Sequence, residues 1–336
     1  MLEKLCNMYA VSGDEEEIAE FIIETVKPFV DMVETDALGN VICYIKGESD
    51  KKRVLVSAHL DEVGFIISGI TDDGYLKFCS VGGIDERIMP GKSVVIGKNE
   101  IPGVIGIKPV HLMSKEERES VLKEDELVID IGAISKEDAE KRVSLGDYAT
   151  FSANYTEFGD NKILSKALDD RCGCAILTEL CKKKYYYDTY ICFSVQEETG
   201  TRGAIVLARK IKPDYALVIE CTSCSDIGET PEFKYVTTMG EGAALSINDG
   251  GSYSDVKMTK KLYALAKEKG IPVQYKRSNA GGNDARSLQV SGGGAKCVVI
   301  SIPCRYLHSP VGVISKDDYI SAKKLGALFL ENIKED

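Results

Sequence analysis

Several predicted strands of this sequence end on, or lead shortly into, a histidine or a carboxylate. These side chains belong to His59, Glu197, Glu198, Glu220 and His308. In open α/β sheets, ligand sites lie just outside the carboxyl ends of the strands, so neighbouring strands would bring these groups to one edge. Such a set of histidines and carboxylates is typical of a two-metal hydrolytic site. Hydrolysis there also needs a carboxylate that binds no metal and takes up a proton, and the adjacent Glu197 and Glu198 could divide these roles.

Further acidic residues lie close to these positions. Asp61 follows His59 by two residues and could orient a metal-bound imidazole through its own carboxylate. Asp169 and Asp170 stand at the start of a predicted helix, where carboxylates also cap the helix and complement its dipole. Taken alone, the Asp169–Asp170 motif fits capping better than metal binding. The joint pattern of strand ends is what favours a metal site.

The elements that must position these residues lie on either side of a β-rich middle segment. Before residue 65 and after residue 166, buried apolar strands alternate with helices. Between them, short strand-like runs are separated by glycine turns, which is typical of a small barrel or sandwich. We therefore predict an α/β fold with a doubly wound, mostly parallel sheet and an inserted small β-barrel. The predicted domains are a discontinuous domain that carries the candidate site, 1–65 with 163–336, and an inserted domain, 66–162.

The composition excludes several classes of function. The 336 residues include 42 Lys and Arg against 53 Asp and Glu, which gives a net charge of −11. So acidic a chain is a poor candidate for non-specific binding to nucleic acid or to an anionic membrane. The sequence has no run of about 18 apolar residues, and its first residues lack the pattern of a secretory signal. With eleven cysteines, an odd number, we expect reduced thiols and a cytoplasmic protein.

Five short motifs connect the candidate residues with a known family. In chain order they are His59–Gly64 (HLDEVG), Ala167–Arg171 (ALDDR), Gln196–Gly200 (QEETG), Gly281–Ala285 (GGNDA) and Arg305–Ser309 (RYLHS). Together they resemble the tetrahedral, dinuclear-metal aminopeptidases, the group often labelled glutamyl aminopeptidase or "cellulase M". The likeness covers nearly the whole chain and includes the β-rich insert. The combination is highly specific, although no single motif is.

The resemblance implies a role for each candidate. The implied metal ligands are Asp169 as the bridge, His59 and Glu220 on one metal, and Glu198 and His308 on the other. Glu197 would be the general base that deprotonates the bridging water and later protonates the leaving amine, and Asp61 would orient His59. Two divalent ions per subunit are implied, Zn²⁺ first, with Co²⁺ or Mn²⁺ also compatible with these ligands. The implied substrates are peptides, and the insert would assemble the chain into a homo-oligomer, typically a dodecamer.

Two positions depart from the family pattern. Glu220 stands where aspartate is more usual, and Asn283 stands where threonine is usual. Glutamate reaches one methylene further than aspartate, so the geometry or the metal preference of that site could differ although the ligand type is kept.

Three other functions remain open at this point. A metal-dependent deacylase or amidase acting on a small acylated molecule would use the same metal core. A glycosidase would use two carboxylates without metal, which leaves His59 and His308 unexplained. A binding protein with a degenerate site is disfavoured because all the expected ligand types are present. A strong chelator separates the glycosidase from the metal enzymes, and a panel of aminoacyl and N-acyl substrates separates the metal enzymes from one another.

Overall fold

Strands from both ends of the chain build one large sheet, and strands from its middle close a barrel. The computed structural model describes residues 1–334. The first strands are β1 (Met32–Thr35), β2 (Val41–Ile45) and β3 (Ser49–His59). The middle of the chain contains β4 (Gly64–Ile70), β5 (Leu76–Val81), β6 (Ser93–Ile96), β7 (Ile101–Ile105), β8 (Ile129–Asp130) and β9 (Tyr148–Phe151). The last part contains β10 (Thr156–Phe158), β11 (Lys162–Ser165), β12 (Tyr187–Ser194), β13 (Tyr215–Ser223), β14 (Ala243–Ser246), β15 (Val273–Tyr275), β16 (Lys296–Arg305) and β17 (Gly312–Ser315).

The helices stand mostly between these strands. They are α1 (Leu2–Asn7), α2 (Glu16–Val26), α3 (Lys115–Glu119), α4 (Lys136–Ala139), α5 (Leu168–Leu180), α6 (Arg202–Ile211), α7 (Val256–Glu268), α8 (Ala285–Val290) and α9 (Lys316–Asn332). Side chains at their starts fix where some of them begin: Ser315 accepts the N–H of Asp317 before α9, and Asp255 accepts that of Met258 before α7. Within residues 1–334, no helix is both long and apolar enough to cross a membrane.

The large sheet is mixed, with a parallel centre. Along its main path the strands follow the order β1-β2-β12-β3-β13-β16-β17-β11-β10, and β14 pairs with β15 and β16. The four neighbours β12, β3, β13 and β16 are parallel, whereas the outer pairs on this path are antiparallel. The predicted α/β class with an inserted barrel is confirmed, but the sheet is mixed rather than mostly parallel. The short connection of residues 36–40 joins the antiparallel neighbours β1 and β2, because parallel neighbours need a longer crossover.

Helices cover both faces of the sheet because consecutive side chains of a strand point to opposite sides. On β3, Val54 and Val56 belong to the larger buried cluster, together with Leu177 of α5 and Leu325 of α9. Leu55 belongs to a smaller cluster with residues of α6 and α8. The unbroken apolar run of β3 therefore reflects burial on both faces.

The barrel closes in the order β4-β5-β8-β7-β6-β9. Phe65, Phe78 and Phe151 lie in its core, and the ring centroid of Phe65 is 5.0 Å from that of Phe78 and 5.4 Å from that of Phe151. Its first strand begins at Gly64, immediately after the connection that leaves β3 at His59. The barrel is therefore attached at the edge of the sheet where the candidate residues lie.

A buried cluster of charges joins the start of the chain, the barrel and the sheet. Glu62, on the connection from β3 to β4, accepts hydrogen bonds from Lys166 Nζ at 2.7 Å and Arg171 Nη2 at 3.2 Å, and all three side chains are buried. Thr150 of β9 donates to the same carboxylate at 3.1 Å. The two cations also donate to three backbone carbonyls near the start of the chain, those of Leu5, Met8 and Ala10.

Candidate metal centre

The parallel strands carry the predicted residues to one edge of the sheet. His59 ends β3 and pairs in register with Ser194, the last residue of β12, from which the chain turns into Glu197 and Glu198. On the next strands, Glu220 of β13 pairs with Ser301 of β16. His308 follows β16, and Asp169 lies at the start of α5.

The carboxylate of Asp169 lies between the two histidines. Its Oδ1 is 3.4 Å from His59 Nε2, and its Oδ2 is 3.5 Å from His308 Nε2. Glu198 Oε1 is 3.1 Å from the same nitrogen of His308. Ligand atoms of His59, Asp169 and Glu198 lie within 4.8 Å of one another. Each oxygen of one carboxylate thus faces a different imidazole.

These separations fit a metal centre. With metal–ligand bonds of about 2.05 Å and tetrahedral angles, neighbouring ligand atoms stand about 3.3 Å apart. The two histidine–Asp169 separations of 3.4 and 3.5 Å and the His308–Glu198 separation of 3.1 Å bracket that distance. Nitrogen and carboxylate oxygen donors are also those that Zn²⁺ and related divalent ions accept. The residues present therefore fit a divalent ion on each side of Asp169.

Backbone carbonyls fix the tautomer of both histidines. His59 Nδ1 is 3.0 Å from the carbonyl oxygen of Asp61, and His308 Nδ1 is 3.0 Å from that of Gly83. A carbonyl only accepts hydrogen bonds, so each Nδ1 carries the hydrogen and, in the neutral ring, Nε2 keeps its lone pair. Metal-binding histidines are commonly oriented in this way.

The surrounding carboxylates make this site strongly favourable for positive charge. Burial opposes protonation of His308, but Asp169 and Glu198 outweigh it and raise its pKa to about 11. Burial likewise opposes protonation of His59, and Asp169 and Asp61 outweigh it and hold the His59 pKa well above its usual value. For Asp169, burial disfavours the carboxylate, yet His308 and His59 hold its pKa below the usual range. Divalent ions would supply the positive charge that protons supply here.

Asp61 connects His59 with the glutamate pair. Its carboxylate accepts the backbone N–H of Glu197 at 3.0 Å and that of Glu198 at 3.1 Å, and Ser12 donates its hydroxyl to it at 2.6 Å. The carboxylate is 3.5 Å from His59 Nδ1, further than the 3.0 Å of the Asp61 carbonyl. The nearer orienting contact to His59 therefore comes from the Asp61 backbone, and the Asp61 side chain holds the loop of the two glutamates.

Glu197 differs from its neighbour in its surroundings. Within the described chain, no hydrogen bond is made to the Glu197 carboxylate, whereas that of Glu198 contacts His308. Burial raises the pKa of Glu197 well above its usual value, and the charges of Asp284 and Glu198 add to the rise against the opposing effect of His59. A carboxylate without a partner and with a raised pKa is suited to accept and return a proton.

The hydrogen bonds of the Asp170 carboxylate are to backbone N–H groups and not to an imidazole. The carboxylate accepts the backbone N–H of Gly173 at 2.8 Å and that of His59 at 3.3 Å. The helix-capping interpretation therefore applies to Asp170, while the adjacent Asp169 faces His59 and His308. Burial raises the pKa of Asp170 well above its usual value.

Glu220 lies outside the set of His59, Asp169 and Glu198 that is brought within 4.8 Å. Its Oε1 accepts hydrogen bonds from Asn283 Nδ2 and Ser301 Oγ, each at 3.1 Å. Burial raises the pKa of Glu220 to about 8, against the opposing charge of Lys276. The next residue of β13, Cys221, donates its N–H to Asp169 Oδ1 at 3.2 Å, so this part of the strand contacts the central carboxylate.

A cleft of about 360 Å³ opens at these residues. Asp169, Glu198 and His308 line it together with Phe151 of the barrel and Leu307. A cleft of about 550 Å³ between α7 and α9 is lined by none of the predicted site residues. Of these two clefts, the smaller one contains the predicted site residues, and it lies where the sheet meets the barrel.

Sequence reasoning missed several residues that support the site. Ser12 donates its hydroxyl to Asp61, and Glu15 accepts the N–H of Gln196 at 2.9 Å. Asn283 was noted only as a departure, and Asp284 was assigned no role. Their signal in the sequence is weak because each acts on a residue more than 40 positions away.

The fold and the site define a metal-dependent hydrolase. The M42 glutamyl aminopeptidase family matches residues 39–325 of the chain. A putative aminopeptidase of Acetivibrio thermocellus is 40% identical over 328 residues, which cover 97% of this chain and 96% of that protein. The chain therefore belongs to the M42 aminopeptidase family. It is a dinuclear metallopeptidase that acts as a metal-dependent aminopeptidase, as its motifs implied.

Solved structures share the complete fold. Aminopeptidase APDkam598 of the archaeon Desulfurococcus kamchatkensis is 36% identical with a TM-score of 0.94, and the match covers 99% of this chain and 94% of that one. The TET1 peptidase of Pyrococcus horikoshii is 34% identical with a TM-score of 0.88, over 99% of this chain and 98% of that one. That peptidase can assemble into a tetrahedron or a large octahedral shell.

Proposed function

We propose that this aminopeptidase removes N-terminal residues from peptides with two divalent ions and with Glu197 as the general base. The proposed ligands are Asp169 as the bridge, His59 and Glu220 for one ion, and Glu198 and His308 for the other. The observation that carries the proposal is the carboxylate of Asp169, whose two oxygens face two different imidazole nitrogens at 3.4 and 3.5 Å.

The residues of the chain divide the chemistry among them. When bound, the ions would polarise the scissile carbonyl and lower the pKa of the attacking water. Glu197 takes one proton of that water while the oxygen of the water adds to the carbonyl carbon. As the C–N bond breaks, Glu197 returns the proton to the leaving amine nitrogen. Asp61 holds the backbone of Glu197 and Glu198 and so keeps the base next to the ligands.

We propose Zn²⁺ as the native metal, with Co²⁺ and Mn²⁺ as the alternatives that the same donors accept. Nitrogen ligands from two histidines and ligand spacings near 3.3 Å support zinc. Metal analysis of protein purified without added metal tests this assignment. A preparation that contains two equivalents of another ion and no zinc overturns it.

We also propose that the chain assembles into a dodecamer through the insert, with 1–65 and 163–336 as the catalytic domain and 66–162 as the assembly domain. The similarity to the tetrahedral assembly of Pyrococcus horikoshii TET1 supports the proposal. Large apolar side chains of the insert are also exposed, as expected of an interface. They are Ile107, Val110, Leu112, Val121, Ile134 and Leu145. Light scattering coupled to size-exclusion chromatography tests it, and a monomer at micromolar concentration contradicts it.

The first experiment is a set of aminoacyl-p-nitroanilides assayed before chelation, after chelation, and after return of Zn²⁺, Co²⁺ or Mn²⁺. We expect release of p-nitroaniline that stops when the metal is removed and resumes when the metal is returned. The same amino acids with an acetylated amine are the matched controls, and we expect no cleavage of them. Release of acetate from the acetylated compounds, without release of p-nitroaniline from the free-amine compounds, would identify a deacylase instead. Chelator-resistant cleavage of a glycoside would identify a glycosidase.

A further inference from the structure

We propose that Asn283 and Asp284 form a positioning clamp behind the metal centre. Asn283 fixes the carboxylate of Glu220, and Asp284 fixes the strand ends that carry His59 and Glu197. The proposal rests on the metal site of the proposed function and adds two residues that bind neither metal nor substrate. Both side chains are 2% exposed, and both stand in the turn that leads into α8.

Asn283 holds two carboxylates at once. Its Nδ2 donates to Glu220 Oε1 at 3.1 Å and to Asp249 Oδ2 at 2.8 Å, while its Oδ1 accepts the N–H of Ala285 at 2.9 Å. The orientation of the amide is determined by these partners, because two acceptors meet the nitrogen and one donor meets the oxygen. Neither a hydroxyl with its single hydrogen nor a carboxylate could make this set of three bonds.

The contact leaves one oxygen of Glu220 available. Oε1 receives both Asn283 Nδ2 and Ser301 Oγ, each at 3.1 Å. Within residues 1–334, no hydrogen bond is made to Oε2. Two donors on one oxygen fix the plane of the carboxylate and leave the other oxygen for a cation. A glutamate side chain has one more rotatable bond than aspartate, and Asn283 restrains that additional freedom.

Asp284 acts on the neighbouring strands. Its Oδ2 accepts the hydroxyl of Ser57 at 2.7 Å and that of Ser194 at 2.5 Å. Ser57 lies on β3 two residues before His59, and Ser194 ends β12 three residues before Glu197. Asp284 Oδ1 has no hydrogen-bond partner in the described part of the chain. Burying a carboxylate with a free oxygen is unfavourable. The two serine contacts alone therefore do not account for a buried carboxylate at position 284 as a stabilising feature of the fold.

The two contacts come from adjacent residues of one short turn. Through them the turn contacts three neighbouring strands: β13 through Asn283, and β3 and β12 through Asp284. Packed elements transmit small shifts because protein interiors are close-packed. Displacement of this turn would therefore move a metal ligand and the general base together.

The test for Asn283 is metal affinity. We expect Asn283→Ala to bind one of two Zn²⁺ ions about 10- to 100-fold more weakly, as loss of an outer partner of a metal ligand typically does. The affinity is measured by competition with a chromophoric chelator. We also expect the visible spectrum of the Co²⁺-loaded Asn283→Ala variant to differ from that of the Co²⁺-loaded wild type. The matched control is Gln274→Ala, which removes a buried amide that contacts the carbonyls of Thr238 and Gly242. We expect the control to lower thermal stability and to leave both metal affinities unchanged.

A second comparison tests whether Asn283 acts through Glu220. If it does, the double variant Glu220→Gln, Asn283→Ala should bind Zn²⁺ almost as tightly as the single variant Glu220→Gln. Equal affinities and spectra for wild type and Asn283→Ala would overturn this half of the proposal. An additive double variant would overturn the route through Glu220.

The test for Asp284 is a separation of kcat from KM. We expect Asp284→Ala, which removes the acceptor of both serine hydroxyls, to keep two metals and to lower kcat about tenfold or more, because small misplacements of a base are costly. KM should stay within about twofold, since no substrate contact is removed. The control is Asp318→Ala, which removes a buried carboxylate that accepts the N–H groups of Gly240 and Gly242. An unchanged kcat in Asp284→Ala, or an equal loss in the control, would overturn this half.

These outcomes are distinguishable from failure of the proposed function. Metal affinity and the Co²⁺ spectrum do not depend on turnover, so they decide the role of Asn283 even if no peptide is cleaved. Conversely, an active metal enzyme whose Asn283 and Asp284 variants behave as wild type keeps the proposed function and removes the clamp.

Discussion

Ser12 donates its hydroxyl hydrogen to Asp61 Oδ2 at 2.6 Å, although 49 positions separate the two residues. The same carboxylate accepts the backbone N–H groups of Glu197 and Glu198. One buried acid therefore joins the N-terminal segment, the end of β3 and the loop of the proposed base. The position of Glu197 depends on a residue near the start of the chain.

Replacing Ser12 tests that dependence. We expect Ser12→Ala to lower kcat about tenfold with little change in KM, because a hydrogen bond to a charged acceptor contributes about 1.5–3 kcal/mol. Steady-state kinetics on the best aminoacyl substrate measure the effect. Ser135→Ala is the control, since Ser135 caps a helix of the barrel and its loss should cost stability alone. Equal kcat values for Ser12→Ala and wild type would show that the bond does not position the base.

The two adjacent glutamates should respond differently to the loss of charge. We expect Glu197→Gln to lower kcat about 10²- to 10⁴-fold while two metals stay bound, because it removes a proton acceptor and no ligand. We expect Glu198→Gln to bind less metal, since Glu198 contacts His308. Metal content and kcat are measured on the same preparations. Full activity of metal-loaded Glu197→Gln would exclude Glu197 as the base.

The adjacent aspartates offer a similar contrast. We expect Asp169→Ala to lose both ions, because each oxygen of Asp169 faces a different histidine. We expect Asp170→Asn to keep both ions, because its contacts are the N–H groups of Gly173 and His59. Elemental analysis after dialysis against metal-free buffer measures the difference. Two equivalents of metal in Asp169→Ala would rule out the bridging role.

Glu15 should make stability depend on pH. Burial raises its pKa from the ordinary 4.5 to about 7, and the charge of Asp61 adds to the rise. Between these values the folded protein holds a proton that the unfolded chain has released, so stability falls as the pH rises. We expect metal-free Glu15→Gln to exceed wild type in unfolding free energy at pH 8 by up to about 3 kcal/mol, and to match it near pH 4.

Urea unfolding of the two metal-free proteins at pH 4 to 8 measures this dependence. Glu16→Gln is the control, because Glu16 is the exposed neighbour of Glu15 and should give a difference that is constant with pH. A constant difference for Glu15→Gln as well would show that the Glu15 carboxyl titrates normally.

The sequence was sufficient to predict which side chains the strand ends bring close together. Strand ends of a parallel sheet meet at one edge, so His59, Glu198 and His308 could be grouped without knowledge of their distances. Residue types and spacing alone could not separate Asp169 from Asp170, and only the family resemblance selected Asp169. Both are acids at a helix start, and only the local backbone directs one to the histidines and the other to the helix.

The supporting contacts were beyond sequence reasoning. Asn283 reaches Glu220 across 63 positions, and Asp284 reaches Ser57 across 227. No periodic sequence pattern marks such contacts, because they depend on where a loop packs against the sheet in the folded chain. The direction of the outer strands was missed for a related reason, because strand patterns show burial but not which neighbour a strand pairs with.

The charge cluster around Glu62 has a consequence for the handling of the protein. Lys166 and Arg171 bring two positive charges against one carboxylate, and the carbonyls of Leu5, Met8 and Ala10 provide further acceptors. A chain trimmed by ten residues would leave both cations buried with fewer acceptors, at a cost comparable to breaking a buried ion pair. An affinity tag that is cleaved with loss of native residues therefore belongs at the other terminus.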